Sequence, residues 1–150
     1  MSDLDRLLLT SGAFIGRSRY LDSIPALEER PSRIYVRFHP HGTDTSFLAL
    51  LDTGGHFCIL SREVANSIRS QLGDPFDSTK LWTAHGLIRG ELHRHTIELI
   101  GEGGHGLDIE VTVFVSPDWI GTSFLGYSGV LERVRFCIDP GSNSFYFGSL

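Results

Sequence analysis

The sequence predicts a single, mostly β domain with one helix. Three observations carry this. Seventeen glycines and ten phenylalanines in 150 residues favour strands and tight turns over a helical bundle. Leu107, Ile109, Val111, Val113 and Val115 alternate with polar residues over a full strand length. Only one stretch, Arg62–Gln71, combines an N-cap residue, Ser61, with an apolar helical face of Val64, Ala65, Ile68 and Leu72. The length suits one domain with a proper core.

Taken in order, residues 1–31 show Leu4, Leu7 and Leu8 at helical spacing, then apolar pairs and the breakers Pro25 and Pro31. They read as an arm lying on the core or on a partner. Ile34–Phe38 is a strand of β-branched and aromatic residues that ends in the His39-Pro40-His41-Gly42 turn. Ser46–Leu51 forms a hairpin with it. Phe57–Leu60 is a short strand, the helix follows, and Gly73 and Pro75 stop it before a loop at 74–79. Leu81–Ala84 and Leu87–Leu92 form a hairpin tipped by His85-Gly86. His93–Ile100 alternates weakly and Leu107–Val115 strongly. Ser116-Pro117-Asp118 turns the chain into a short buried strand, Ser123–Gly126. Tyr127–Arg133 reads as a short helical piece. Val134–Ile138 and Ser144–Phe147 close the chain around an Asp139-Pro140-Gly141 turn. The tally is about ten strands.

The net charge of -5 provides no basic field for nucleic acid or an anionic membrane. The N-terminus is acidic-leaning where a signal peptide is basic, and no apolar run approaches the ~18 residues of a membrane span. These features predict a cytoplasmic protein. Cys58 and Cys137 pair only if the fold brings their Cα atoms within about 7 Å; otherwise they are two buried thiols of a reducing compartment.

One stretch points to chemistry. In Leu48–Gly55 an apolar run delivers Asp52 into Thr53-Gly54-Gly55. A carboxylate at the end of a buried strand needs hydrogen bonds, a partner or a proton. The two glycines let the backbone approach it closely. Other chemistries fit less well. Gly101–Gly106 matches G-x-G-x-x-G, but an alternating strand follows where a dinucleotide site needs a helix. His39 and His41, and His93 and His95, are spaced to chelate from one strand face, yet no third or fourth ligand follows zinc spacing; they read as solvated strand-edge histidines, and no metal is expected. There is no G-x-S-x-G elbow for a serine nucleophile.

Three pieces in order resemble the retropepsin-like (retroviral-type) aspartic proteases in their bacterial single-domain form. They are Leu50-Leu51-Asp52-Thr53-Gly54, the Gly-bearing hairpin Thr83-Ala84-His85-Gly86 in the position of the flap, and Phe124-Leu125-Gly126 after it. The resemblance covers about residues 33–148. It implies a protease domain at 33–150 behind an N-terminal arm at 1–32, and a small closed β-barrel. The chain has one Asp-Thr-Gly, so the resemblance also implies a two-fold symmetric homodimer with Asp52 from each subunit in a catalytic dyad. Thr53 would then tie the two active-site turns together, and Gly54 would donate backbone hydrogen bonds. The hairpin would close over an extended peptide, with Phe124, Leu125 and Gly126 supporting the site and no cofactor required. Gly55 and Tyr127 depart from the pattern, which usually has Ala or Ser, and in the viral enzymes Arg. A dimeric peptide-binding or scaffold domain on the same barrel is the alternative, motivated by Gly55-His56 after the Asp-Thr-Gly.

Overall fold

Eleven strands and two α-helices account for most of the chain, and the computed structural model describes all of residues 1–150. The strands are β1 (Gly16–Arg19), β2 (Tyr35–Pro40), β3 (Phe47–His56), β4 (Cys58–Ile59), β5 (Asp77–Thr83), β6 (Gly86–Leu99), β7 (Gly103–Gly104), β8 (Leu107–Val115), β9 (Ser123–Ser128), β10 (Val134–Asp139) and β11 (Ser144–Ser149). The helices are α1 (Asp3–Thr10) and α2 (Arg62–Ser67). No helix is long and apolar enough to cross a membrane.

The strands form two sheets. Four of them run in the order β10-β11-β1-β7, and seven in the order β2-β3-β9-β4-β8-β6-β5. Strand β2 leaves β3 after Phe38 and pairs with β6 through Phe38–Pro40, so a hydrogen-bonded path returns from β6 to β2. This partner change carries the strand through His39 and Pro40, where the sequence predicted a turn. The main core lies inside this arrangement, where Val36, Phe38, Val111, Val113 and Leu125 are almost fully buried. Each such side chain contributes roughly 1.5–3 kcal/mol relative to exposure. A smaller core of Ile88, Leu92, Phe114 and Trp119 lies beside it.

Several local expectations are corrected. There are two α-helices, not one. Helix α1 is set by a capping box, in which the Ser2 hydroxyl accepts from the Asp5 N–H while the Asp5 carboxylate accepts from the Ser2 N–H. It docks through Asp5, leaving Leu4 and Leu7 exposed, so its leucine spacing does not mark its packed face. Helix α2 begins at the expected Ser61 cap but ends at Ser67. Ile68 has a non-helical backbone (φ -120°), and a 3-10 turn, Arg69–Gln71, completes the segment. The expected loop at 74–79 is cut short because β5 starts at Asp77 and pairs with Leu92 of β6. Tyr127 and Ser128 extend β9, leaving a 3-10 turn at Leu131–Arg133 in place of a longer helical piece.

Of the histidines expected at solvated strand edges, His93 and His95 are buried, because β6 is covered on that face. His95 Nε2 lies 2.7 Å from the His41 carbonyl oxygen and His93 Nδ1 3.3 Å from that of Leu72. Burial lowers the His95 pKa. Both cysteines are free; Cys58 is buried, its thiol pushed up to about 12 by burial, whereas Cys137 is half-buried.

Residues 1–32 contribute to the four-stranded sheet. β1 pairs antiparallel with β11 from Gly16↔Phe147 to Arg19↔Ser144, and its other edge takes β7. The clasp beneath α1 is polar. Asp5 Oδ1 accepts from the buried Tyr146 hydroxyl at 2.7 Å and lies 2.9 Å from Arg17 Nε. Hydrogen bonding from Tyr146, then from Ser2, and the charge of Arg17 hold the Asp5 carboxyl down at about 2 against the opposing cost of burial.

Candidate active site

The connection from β3 to β4 is the unusual part of the chain. These two strands are consecutive, yet β9 lies between them, parallel to β3 and antiparallel to β4. Leu51 stands opposite Leu125, and Asp52 opposite Gly126. The register then slips between Asp52 and His56. Asp52–Gly55 is therefore an irregular stretch within β3, not a turn that ends the strand. Phe57 completes the corner in a left-handed conformation (φ 66°), which a non-glycine residue adopts only when its surroundings impose it.

Gly126 makes this crossing feasible. Its N–H donates to the Phe57 carbonyl at 2.9 Å, and the Phe57 N–H donates to Ser128 at 2.7 Å. A Cβ at Gly126 would lie 2.7 Å from the Phe57 carbonyl oxygen, 2.8 Å from the His56 carbonyl carbon and 2.9 Å from that of Gly55. All three are backbone atoms that the corner cannot easily move.

Asp52 is half-buried and accepts one hydrogen bond, from the Gly54 N–H to Oδ1 at 3.1 Å. A carboxylate offers about four acceptor positions, so most of its capacity is open. Thr53 is exposed, and its hydroxyl has no hydrogen-bond partner within the chain. Gly55 packs directly on the carboxylate: a Cβ there would lie 2.5 Å from Asp52 Oδ2 and 2.8 Å from its Cγ. A side chain at this position would displace the Asp52 carboxylate rather than the backbone.

The hairpin is a two-residue connection, Ala84-His85, between Thr83 and Gly86. The Thr83 hydroxyl donates to the Gly86 carbonyl at 2.8 Å and accepts from the His85 N–H at 3.1 Å. Gly86 has φ 106°, a value that side chains disfavour. Trp82 is 82% exposed and faces Leu87 across the hairpin. No hydrogen bond joins the tip to Asp52–Gly55. The link is apolar and lies at the hairpin's base. Ile88 and Leu92 share the smaller core with Phe114 and Trp119, and Phe57, Ile59, Leu81 and Phe124 pack against it. The Trp119 and Phe124 rings meet edge to face at 5.6 Å.

The structure thus brings Asp52, Gly55 and Gly126 together directly, and relates Phe124 to the hairpin base through this core. Leu125 belongs to the main core instead. Sequence reading placed Phe57 in a strand, not at a left-handed corner, and passed over Trp119. A lone tryptophan after a Ser-Pro-Asp turn was the available signal for the latter. No group of three or more His, Cys, Asp or Glu residues is arranged to hold a metal ion.

No protein-family model matches the sequence, and no curated protein matches it. A solved structure does. The chain is similar to a retropepsin-like aspartic protease from Rickettsia conorii, with a TM-score of 0.56 and 17% sequence identity, over 89% of this chain and 99% of that one. The fold is the retropepsin-like one. Within that fold, the crossing of β9 between β3 and β4 places Asp52, and the β5–β6 hairpin supplies the exposed apolar tip.

Proposed function

We propose that the protein is an aspartic endopeptidase that works as a homodimer, with Asp52 of each subunit forming the catalytic dyad. The observation that carries this reading is the underused Asp52 carboxylate, seated opposite Gly126 at the β9 crossing in a retropepsin-like fold. One Asp-Thr-Gly per chain requires a second copy for a dyad. Residues 33–150 are the proposed protease domain and residues 1–32 its proposed N-terminal arm; the β2–β6 pairing supports the reading of a closed barrel.

Two carboxylates held close together share one proton, because both cannot ionise cheaply. The ionised Asp52 takes a proton from a water, whose oxygen bonds to the peptide carbonyl carbon. The protonated Asp52 gives its proton to the carbonyl oxygen. As the tetrahedral intermediate collapses, the C–N bond breaks, the carboxyl proton goes to the amine nitrogen, and a hydroxyl proton of the intermediate passes to the other carboxylate, so the dyad again holds one proton. The Gly54 N–H, which donates to Asp52 Oδ1, is assigned to holding the carboxylate in place. The exposed Thr53 hydroxyl is assigned to the partner's active-site turn, and the Trp82–Leu87 tip to covering an extended peptide. No cofactor is assigned. The free cysteines suit a cytoplasmic setting.

The test is cleavage of an unfolded protein mixture by the parent and by Asp52→Ala. The expected result is cleavage by the parent that falls at least about a thousandfold in the variant, with an unchanged melting temperature. Equal cleavage by the two proteins would remove Asp52 from the chemistry. No cleavage by either would favour the peptide-binding alternative.

A further inference from the structure

A concave site lies away from Asp52, between α2 and the base of the β5–β6 hairpin. It encloses about 860 Å³. None of Asp52, Thr53, Gly54, Gly55 or Gly126 lines it. Four cations do: Arg62 and Arg69 from the α2 side, and Lys80 and Arg89 from the hairpin, against only two carboxylates, Glu91 and Asp118. The chain as a whole carries a net charge of -5, so this concentration of positive charge runs against its composition. None of the four cations is ion-paired. Arg62 donates to the Pro117 carbonyl at 3.4 Å and Arg69 to Asn66 Oδ1 at 2.8 Å, while Glu91 lies 3.7 Å from His93 Nε2. A concave site with an excess of one sign of charge attracts the opposite charge.

One wall of the cleft is also a sheet edge. β5 pairs only with β6, so apart from the Ser78 N–H, which donates to Asp77 Oδ1 at 2.8 Å, its outer backbone edge is open, and its residues Ser78, Thr79 and Lys80 line the cleft. An open edge accepts an extended chain as an added strand. The volume holds several residues, far more than a single phosphate. The acidic remainder of the surface repels a long polyanion but not a short segment. We propose that this cleft binds a short, extended, acidic peptide segment, whose backbone adds to the β5 edge while its carboxylates meet Arg62, Arg69, Lys80 and Arg89. This inference does not rest on the protease reading.

Binding of a fluorescein-labelled octapeptide alternating glutamate and threonine, with a glutamine-for-glutamate control, tests it by anisotropy at low ionic strength. Both peptides are titrated into Asp52→Asn protein, so that cleavage cannot confuse the result. The glutamate peptide should bind about tenfold tighter than the control, and the difference should shrink with added salt. It should disappear in Arg62→Gln/Arg89→Gln and in Arg69→Gln/Lys80→Gln, each placed in the Asp52→Asn protein. All four residues are exposed, and if one pair fails to fold the other decides. Equal affinity for the two peptides, or a difference that survives the substitutions, would overturn the proposal. Displacement by tripolyphosphate or a single-stranded oligonucleotide at lower concentration than by unlabelled glutamate peptide would overturn it in favour of a phosphate ligand.

Discussion

Asp5 accepts hydrogen bonds from the Ser2 N–H, the Ser2 hydroxyl and the Tyr146 hydroxyl, and lies 2.9 Å from Arg17 Nε. Asp52 accepts one, from Gly54. The first carboxylate is buried among partners that consume its acceptor capacity and hold it ionised. The second is half-buried, with Gly55 against its carboxylate and Gly126 against the backbone of residues 55–57, and is left with open lone pairs. The contrast separates two uses of an aspartate. A carboxylate whose bonds are all made inside its own chain fastens structure. One that is positioned by close backbone packing but underbonded is available to water, substrate or a partner.

The largest stability change that sharpens this contrast is expected at the clasp. Asp5→Ala leaves the Tyr146 hydroxyl without its acceptor and Arg17 without its counter-charge, and should cost about 3 kcal/mol, read by denaturant unfolding. Cleavage per folded molecule should be unchanged. The clasp should also respond to acid. Its folded pKa, about 2, lies below the ordinary 3.8, so its stabilisation is full above the ordinary value and is lost as pH falls toward 2. The advantage of the parent over Asp5→Asn should therefore shrink between pH 4 and about 2. A constant difference across that range would show that Asp5 is not held ionised.

At the other carboxylate, Gly126→Ala pushes a methyl group into the backbone of residues 55–57 and should cost about 2 kcal/mol. It should also lower cleavage, because the corner carrying Asp52 must move. Gly55→Ala is milder for the fold. Its methyl group meets only the Asp52 carboxylate, which can rotate away, so melting should hardly change while turnover falls by about tenfold. A Gly55→Ala protein with full turnover would show that the carboxylate does not need the position described here.

The two regions also differed in how far they could be read from sequence. Asp52-Thr53-Gly54-Gly55 is contiguous, and its two glycines signal an unusual backbone in themselves. The alternation from Leu107 to Val115 and the Ser61 cap are likewise local, and both were legible. The passage of β9 between β3 and β4 was not, because pairing of Asp52 with Gly126 joins residues far apart in the chain. Nor was the clasp. Leu4, Leu7 and Leu8 drew attention to the wrong face of α1, while its anchor is a charged residue whose partners, Arg17 and Tyr146, come from the first and last strands. His93 and His95 were misread for the same reason: their spacing was visible, but not what covers β6.

Mixing of subunits tests the central claim, that Asp52 acts as a pair across two chains. Parent and Asp52→Asn proteins are unfolded together in equal amounts, refolded and assayed against parent treated alone at the same total concentration. If both Asp52 residues are needed in one dimer, random pairing leaves about a quarter of the activity. Activity of about a half would mean that each chain cleaves with its own Asp52 alone, and would contradict the dyad.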